Sequence, residues 1–313
     1  MSVEVSQQLR IAAEQDDLVI IDAHHHLWDP ADRPYRWMDD SVAPIRRRFG
    51  VDDLRAAVAT SDVTQTIVVQ AVHDSGETAW LLSQPNPVAG VVGWVDLTAP
   101  DVHERLAAID HPRLVGIRHQ AQDEPDPDWL GRPDVARGVR ALASAGLVFD
   151  LLVRAREHRS ALELVDAVPE AEFVLDHAGK PRIAAGDDRW PDRIRDFAAR
   201  GNVVCKISGL LTEAGPSWRS RPVSRYVNEV IGHFGPNRSM YGSDWPVSTL
   251  VASYGEVLRL TQHSLAGLSP GDVDQVMRGT AERVYLAGRG AHRSDLPEAN
   301  SSRAERDDVG RSD

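Results

Sequence analysis

The chain has 313 residues, of which 42% are hydrophobic and 26% charged, and its formal net charge is −12. The acidic balance argues against a basic face for nucleic acid, and no apolar run reaches the roughly 18 residues that a membrane-spanning helix needs. A single cysteine, Cys205, excludes a disulfide within the chain, and residues 1–17 lack the apolar core of a secretory signal, so we expect a cytoplasmic protein.

Short apolar runs alternate with longer amphipathic segments from residue 19 onward. Each run is rich in Val, Ile and Leu, as expected for strands that are covered on both faces in a parallel sheet. The eight predicted strands are Val19–Ala23, Gln65–Gln70, Val91–Asp96, Leu114–Arg118, Leu147–Val153, Phe173–Asp176, Val203–Ile207 and Met240–Ser243. The segments between them, such as Asp101–Ile109, Ala161–Val168 and Val223–Phe234, have helical spacing. Eight strand–helix repeats predict a closed (β/α)8 barrel of the α/β class rather than an open doubly wound sheet.

The repeat predicts one barrel domain over residues 19–287. An N-terminal extension, 1–18, precedes it, and a charged tail without aromatic residues, 288–313, follows it and is expected to be disordered. A long insertion from Trp28 to Gly50 interrupts the repeat after the first strand. Its Pro, Asp, Arg and aromatic residues are typical of a lid or binding loop.

The first predicted strand runs directly into Asp22-Ala23-His24-His25-His26. Because residues i and i+2 share a face in a strand, His24 and His26 point the same way, at the strand end where barrel active sites lie. Two imidazoles placed there can ligate one metal ion or polarise one carbonyl group. For this motif alone, a histidine cluster without function is the open alternative.

Two other strand ends carry residues of the same kind. His177 follows the sixth strand in "FVLDHAGKP", and Asp244 follows the eighth in "MYGSDWP". Taken singly, His177 is also typical of a hydrogen-bonded loop and Asp244 of a helix N-cap. Since the ends of strands one, six and eight share one mouth of a closed barrel, the combination predicts a single active site. Asp244 is the candidate base, because a carboxylate there can take a proton from water and later return it.

Candidate substrate-binding residues lie at other strand ends and among the aromatic residues near the mouth. They are Arg118, His119, Gln70, Trp28, Trp37 and Trp245. Arg118 can bind a carboxylate or hydroxyl group, with an ion pair at the barrel rim as the alternative. Lys206, inside the seventh strand, is expected to point outward and reach solvent with its ammonium group.

Six motifs carry a resemblance to a known family. "DAHHHLW", "GIRHQAQDEPDPDWL", "FDLLV", "FVLDHAGKP", "KISGL" and "YGSDWP" occur in this order, and with them the chain resembles the amidohydrolase superfamily over about Val19 to Ala287. Within it, the chain is most similar to the lactonase branch typified by fuconolactone, rhamnonolactone and pyrone-dicarboxylate lactonases. The stretch from Arg118 to Leu130 looks most like the sugar-lactone side of that branch.

The resemblance implies the fold of the metal-dependent hydrolases and a role for each motif residue. His24 and His26 match the first-strand pair, His177 matches the sixth-strand histidine, and Asp244 matches the general base. Many metal-dependent relatives also have a lysine or glutamate after the fourth strand and a histidine after the fifth. Here the fourth strand ends in Arg118-His119 and the fifth has no histidine at its end. We therefore expect one divalent ion, with zinc favoured, held by His24, His26 and Asp244, or else a metal-free site.

These roles predict a hydrolase that opens a lactone ring, with a sugar lactone favoured. Asp244 would activate water, while a metal ion or the three histidines would stabilise the developing oxyanion. No GxSxG motif provides a serine nucleophile. Two alternatives remain: a decarboxylase of aromatic or unsaturated carboxylic acids on the same fold, and a non-catalytic barrel that binds a ligand. Each has a small molecule as its partner, with no nucleic acid and no membrane.

Overall fold

A computed structural model describes residues 19–288. Across these residues eight parallel strands follow one another around a barrel in chain order. The strands are β1 Ile20–His25, β2 Val63–Val69, β3 Val88–Gly93, β4 Leu114–His119, β5 Val148–Leu151, β6 Phe173–Leu175, β7 Val203–Ile207 and β8 Ser239–Tyr241. The chain just after β8 returns to β1, where the Asp244 amide donates to the His24 carbonyl at 2.8 Å and the His26 amide donates to the Trp245 carbonyl at 2.7 Å. These two bonds close the ring.

Helices cover the outside of the barrel. Their bounds are α1 Val51–Val58, α2 Ser75–Leu82, α3 Val102–Ala108, α4 Pro133–Ser144, α5 His158–Ala167, α6 Trp190–Ala198, α7 Leu210–Ala214, α8 Val223–Phe234, α9 Tyr254–Ser264 and α10 Pro270–Asp274. In α8 the buried residues Val223, Val227, Val230 and Phe234 are spaced by three or four, so one apolar stripe packs inward. The predicted (β/α)8 fold is confirmed, and the open sheet is excluded.

The predicted strand boundaries agree with the structure to within three residues. The largest difference is at β3, predicted over 91–96 and observed over Val88–Gly93. The strand begins early because Val88 and Gly90 already pair with β2, although Ala89 and Gly90 interrupt the valine run in the sequence.

The barrel interior is apolar in its lower part. Inward-facing side chains from seven strands form a separate buried cluster with residues of the C-terminal segment, namely Ile21, Ala23, Ile67, Val69, Val92, Val148, Val174, Val204, Met240, Ala281, Val284 and Tyr285. That segment contains two short π-helical turns, Gln275–Gly279 and Glu282–Leu286, and closes the N-terminal end of the barrel. Access to the interior is therefore from the C-terminal mouth.

The predicted extension, 1–18, and all but the first residue of the predicted tail, 288–313, lie outside the described residues and stay predictions. Between residues 19 and 288, no helix combines the length and apolar character needed to cross a bilayer.

Candidate active site

Four predicted side chains gather at the C-terminal mouth of the barrel. The Nε2 atoms of His24 and His26 are 3.2 Å apart. The Oδ1 atom of Asp244 lies 3.5 Å from His26 Nε2, 3.9 Å from His24 Nε2 and 4.0 Å from His177 Nε2. All four residues are buried. Residues from three distant parts of the chain therefore form one compact cluster around a single carboxylate.

The outer nitrogens of two of these rings are held by the barrel. His26 Nδ1 donates to the Val69 carbonyl at 2.8 Å, and His177 Nδ1 is 2.8 Å from the Ser208 hydroxyl. Burial lowers the pKa of the His177 ring to about 4 and lowers the pKa of His26 below its usual value. Both rings are therefore neutral at pH 7, and His26 presents the lone pair of its Nε2 atom to the cluster.

The Asp244 carboxyl is ionised for a different reason. Burial raises the pKa of this carboxyl, but the neighbouring His177 and His26 rings lower it further and hold it below the ordinary value. A carboxylate that stays charged inside a buried ring of imidazoles can accept a proton or ligate a cation.

The backbone is strained where it carries two of these side chains. His177 and Asp244 have φ angles of 53° and 55°, in the left-handed region that residues with a Cβ rarely adopt. Ala178 and Lys180, in the same turn as His177, also have positive φ angles. Such conformations cost about 1 to 3 kcal/mol each and persist only where the surrounding structure fixes them, which is common at functional sites.

Donor atoms of this cluster can hold one divalent cation. Two nitrogen ligands at about 2.0 to 2.1 Å from a tetrahedral zinc ion lie about 3.3 Å apart, close to the His24–His26 separation. The contacts of Asp244, at 3.5 to 4.0 Å, are slightly longer. Imidazole and carboxylate groups together are ligands that zinc prefers, and His24, His177 and Asp244 have donor atoms close enough to share one ion.

A layer of buried charges lies directly below this cluster. The Lys206 ammonium group is 2.6 Å from Asp150 Oδ2 and 3.1 Å from Asp176 Oδ1. The guanidinium group of Arg118 is 3.0 Å from Asp176 Oδ2. The prediction that Lys206 points outward was wrong: the side chain is fully buried inside the barrel, because two inward-facing carboxylates neutralise its charge.

The sequence contains a signal for this charged layer. Along β4 to β7, Gly116, Val148, Val174 and Val204 are each followed two positions later by a charged residue, namely Arg118, Asp150, Asp176 and Lys206. The three valines face the interior, and residues i and i+2 share a face, so the charged residues must face inward as well. Asp150 and Asp176 were missed because each was considered within its own strand.

An open cavity of about 1060 Å³ lies above the cluster. The insertion after β1 forms one wall with Arg33, Arg36 and Trp37, and loops after other strands form the rest. Within residues 19–288, five basic and six acidic side chains line the cavity: Arg33, Arg36, Arg118, Arg154 and Lys180, with Asp39, Asp74, Asp123, Glu124, Glu213 and Asp244. The wall is thus strongly polar but nearly balanced in charge.

Of the predicted substrate-binding residues, Arg118 and Trp37 line this cavity, and four others do not. Trp28 is fully buried behind His26, with its ring centroid 6.0 Å from the imidazole. Trp245 packs edge-on against Phe49. These two aromatic residues stabilise the site from behind rather than forming its wall.

The structure also does not place Gln70 and His119 where the predicted substrate-binding role requires them. The Gln70 amide donates to the Arg118 carbonyl at 3.2 Å, and its oxygen is 3.2 Å from the Arg118 guanidinium group, so its polar atoms are occupied within the protein. His119 follows Arg118 and therefore faces away from the barrel interior, where its ring stacks on Trp129 at 3.9 Å. Neither side chain reaches the cavity.

His119 belongs to a second group of potential ligands with His73 and Glu124. The two imidazole rings are stacked 4.0 Å apart with an interplanar angle of 25°. The lone pairs of stacked rings lie in nearly parallel planes and do not converge on one point. In addition, His119 Nδ1 accepts from the Trp94 indole and Nε2 lies 2.7 Å from Glu124. This group is a rigid side of the cavity and not a cation site.

Comparisons with known proteins agree with this geometry. The model of the family described as "Amidohydrolase" matches residues 21–286. An L-fucono-1,5-lactonase from Burkholderia ambifaria is 40% identical over 75% of this chain and 83% of its own length. An L-fucono-1,5-lactonase from Burkholderia multivorans is 37% identical over 85% of this chain and 95% of its own. The crystal structure of an amidohydrolase from Burkholderia multivorans with bound zinc, also 37% identical, covers 85% of this chain and 99% of that chain with a TM-score of 0.80.

Proposed function

The chain belongs to the amidohydrolase family, as its six motifs predicted, and from that premise we propose that it is a hydrolase that opens the ring of a sugar lactone. The observation that carries the proposal is the ring of three buried imidazoles around the Asp244 carboxylate at the mouth of the barrel. A base poised beside a cavity of this kind has a role in activating water, which a protein that only binds a ligand does not need.

The cavity favours a neutral, hydroxylated substrate. Its basic and acidic side chains nearly balance, so the wall has no excess of positive charge for a dicarboxylate. Hydroxyl groups, in contrast, can donate to carboxylates and accept from arginine or lysine. The names of the two relatives from Burkholderia support the same substrate class, and L-fucono-1,5-lactone is the first candidate.

Asp244 carries out the proton transfers. Its carboxylate takes a proton from the water that attacks the lactone carbonyl carbon, and the tetrahedral intermediate collapses as the proton passes to the ring oxygen. The carbon–oxygen bond of the ring breaks, and the product is a hydroxy acid. The left-handed conformation of Asp244 holds the carboxylate in place for both transfers.

Arg118 and the imidazoles prepare the site for the reaction. Arg118 lines the cavity, and its buried Nε–H group has no hydrogen-bond acceptor among the described residues, so the guanidinium group keeps one donor that the protein does not use. One divalent ion, with zinc favoured, would be held by His24, His26 and Asp244, with His177 adjacent. When bound, it supplies Lewis acidity at the carbonyl oxygen.

The test is turnover of a panel that contains L-fucono-1,5-lactone, other aldonolactones and aromatic carboxylic acids. Proton release reports ring opening, and CO2 release reports decarboxylation. We expect ring opening of at least one sugar lactone, and a loss of about 10²- to 10⁴-fold in kcat for Asp244→Asn with ligand affinity retained. Asp187→Asn is the matched control, because Asp187 is also a buried aspartate but lies outside the cavity wall.

Each other outcome has a definite meaning. CO2 release without ring opening identifies a decarboxylase, and binding without turnover identifies a binding protein. Unchanged turnover in Asp244→Asn contradicts the role of this carboxylate. We also expect at most one tightly held ion per chain, so two ions per chain in metal analysis would contradict the site described above.

A further inference from the structure

His24 has two opposed neighbours at its Nδ1 atom. The Lys206 ammonium group lies 3.2 Å away and can only donate, and Asp176 Oδ1 lies 3.3 Å away and can only accept when ionised. All three side chains are fully buried, so water cannot take the place of either neighbour. A neutral imidazole has one N–H group and one lone pair, and its Nδ1 atom therefore satisfies only one of the two at a time.

In the first tautomer, Lys206 donates to His24 Nδ1 and the ring carries its proton on Nε2. That N–H group donates to His26 Nε2, 3.2 Å away. The lone pair of His26 Nε2 is available, because the proton of His26 is on Nδ1 and is donated to the Val69 carbonyl. Lys206, His24, His26 and the Val69 carbonyl are then linked by hydrogen bonds, and His24 Nε2 has no lone pair for a cation or for the Arg118 guanidinium group, which lies 3.4 Å away.

In the second tautomer, the proton of His24 is on Nδ1 and the lone pair of Nε2 faces Asp244. The acceptor for this proton is already in place, since the buried Asp176 Oδ1 lies 3.3 Å from His24 Nδ1 and can accept from it as well as from the Lys206 ammonium group, 3.1 Å away. Lys206 keeps its ion pair with Asp150 at 2.6 Å. Only this second tautomer can ligate a cation through His24 Nε2.

We propose that Lys206 and Asp176 compete for His24 Nδ1 and thereby set how tightly the site holds a divalent cation. Lys206 weakens binding by stabilising the tautomer that cannot ligate, and Asp176 strengthens it by accepting the proton of the ligating tautomer. Both are positioning residues that act through His24. The inference rests on the cation site proposed above but not on the identity of the substrate.

Asp150 makes a matched control available. It is as deeply buried as Asp176 and it also pairs with Lys206, but its other partner is the Tyr285 hydroxyl, at 2.9 Å, and not His24. Replacing Asp150 and Lys206 together removes an ion pair without leaving a net buried charge, which proteins commonly tolerate. Asp176 then keeps Arg118 as its partner.

The experiment measures the affinity of the full chain for Zn²⁺ alone, by competition with a chromophoric chelator and without substrate. The proteins are the wild type, Asp150→Asn, Asp150→Asn with Lys206→Met, and Asp176→Asn. We expect the double variant to bind Zn²⁺ at least about tenfold more tightly than Asp150→Asn, and Asp176→Asn to bind it at least about tenfold more weakly. A purely structural role of the network would shift both affinities in the same direction, and that result would overturn the proposal.

A measurement on the wild type tests the proposed tautomer of His24 even if a variant does not fold. In the metal-free protein, the ¹⁵N chemical shifts of His24 should show a proton on Nε2 and none on Nδ1, with the reverse after Zn²⁺ is added. A proton on Nδ1 in the metal-free protein would refute the role of Lys206. Failure of all four proteins to bind Zn²⁺ would also overturn the inference, while the proposed lactone hydrolysis would still be decided by its own turnover assay.

Discussion

Gly209 supports His177 from below, and its replacement by alanine tests how precisely the imidazole must be placed. Gly209 immediately precedes α7 and has a φ angle of 67°. A Cβ atom added there would lie 2.7 Å from His177 Nδ1 and 2.9 Å from its Cγ. The His177 ring would have to move by about 0.7 Å to restore an ordinary contact distance of 3.4 Å. That movement also disturbs the hydrogen bond between His177 Nδ1 and Ser208.

The expected magnitude has two parts. Placing alanine in a left-handed conformation costs about 1 to 2 kcal/mol. The forced movement of a buried ring adds about 1 to 3 kcal/mol. Because a displacement of about 1 Å at a catalytic group can lower the rate by about 10²-fold, we expect Gly209→Ala to lose at least about tenfold in kcat/KM.

Gly215 provides the control, since it follows the other end of α7 with a φ angle of 73°. A Cβ atom at Gly215 meets no other atom within 4 Å, so Gly215→Ala has only a conformational cost, which is larger than at Gly209 because its ψ angle of −171° lies in a region adopted almost only by glycine. Thermal unfolding and lactone turnover are measured for both variants. Turnover of Gly209→Ala within twofold of Gly215→Ala would refute the argument that the position of His177 is critical.

Three further predictions concern residues around the site. Burial raises the pKa of Glu77 from about 4.5 to about 7. The protonated side chain therefore contributes its full share to the free energy of unfolding below pH 4.5, and this share is lost as the pH rises through 7. Between these pH values the wild type should lose on the order of 3 kcal/mol of unfolding free energy relative to Glu77→Gln, and the same pH dependence of stability in both proteins would contradict this. His25 points away from the cluster and contacts the Thr66 hydroxyl at 2.9 Å, so His25→Gln should lower the melting temperature but change Zn²⁺ affinity less than threefold; a large loss of affinity would place His25 in the site. Trp28→Phe removes indole hydrogen bonds to the carbonyls of residues 45 and 47, so it should cost about 1 to 3 kcal/mol and speed proteolysis within residues 28–50, and an unchanged cleavage rate would contradict the structural role of Trp28.

The fold could be predicted from the sequence because its signals are local and repeated. Each strand is a short Val- or Ile-rich run, and α8 has an apolar stripe that a single window of residues reveals. The residues at the strand ends followed from the same reasoning. Once the barrel was assumed, His26, His177 and Asp244 had to lie at one mouth, and the structure brings them together.

The remaining parts of the site depend on side-chain direction, which is a property of the assembled barrel. Trp28 and Trp245 were expected in the cavity wall because aromatic faces suit sugars, but the insertion after β1 folds over them and buries both. Lys206 points into the barrel because a carboxylate there neutralises its ammonium group. That carboxylate, Asp150, belongs to a strand more than 50 residues away in sequence, at a separation of 56, and a single strand cannot reveal such a partner.

The buried charges of Lys206, Asp150 and Asp176 lie together beneath His24. A lysine and two aspartates in a barrel core are costly, and replacing them with apolar residues would commonly stabilise a protein. Their location directly beneath His24 offers a reason for their presence, because a fully buried hydrogen bond from Lys206 or to Asp176 can select one imidazole tautomer far more strongly than solvent could. The strain at Asp244 and His177 fixes where their donor atoms lie, and in our proposal the charged layer controls which nitrogen of His24 carries a proton. Different parts of the barrel thus set the positions of the donor atoms and the tautomer of His24. A substitution in the charged layer should therefore change the tautomer without moving the donor atoms.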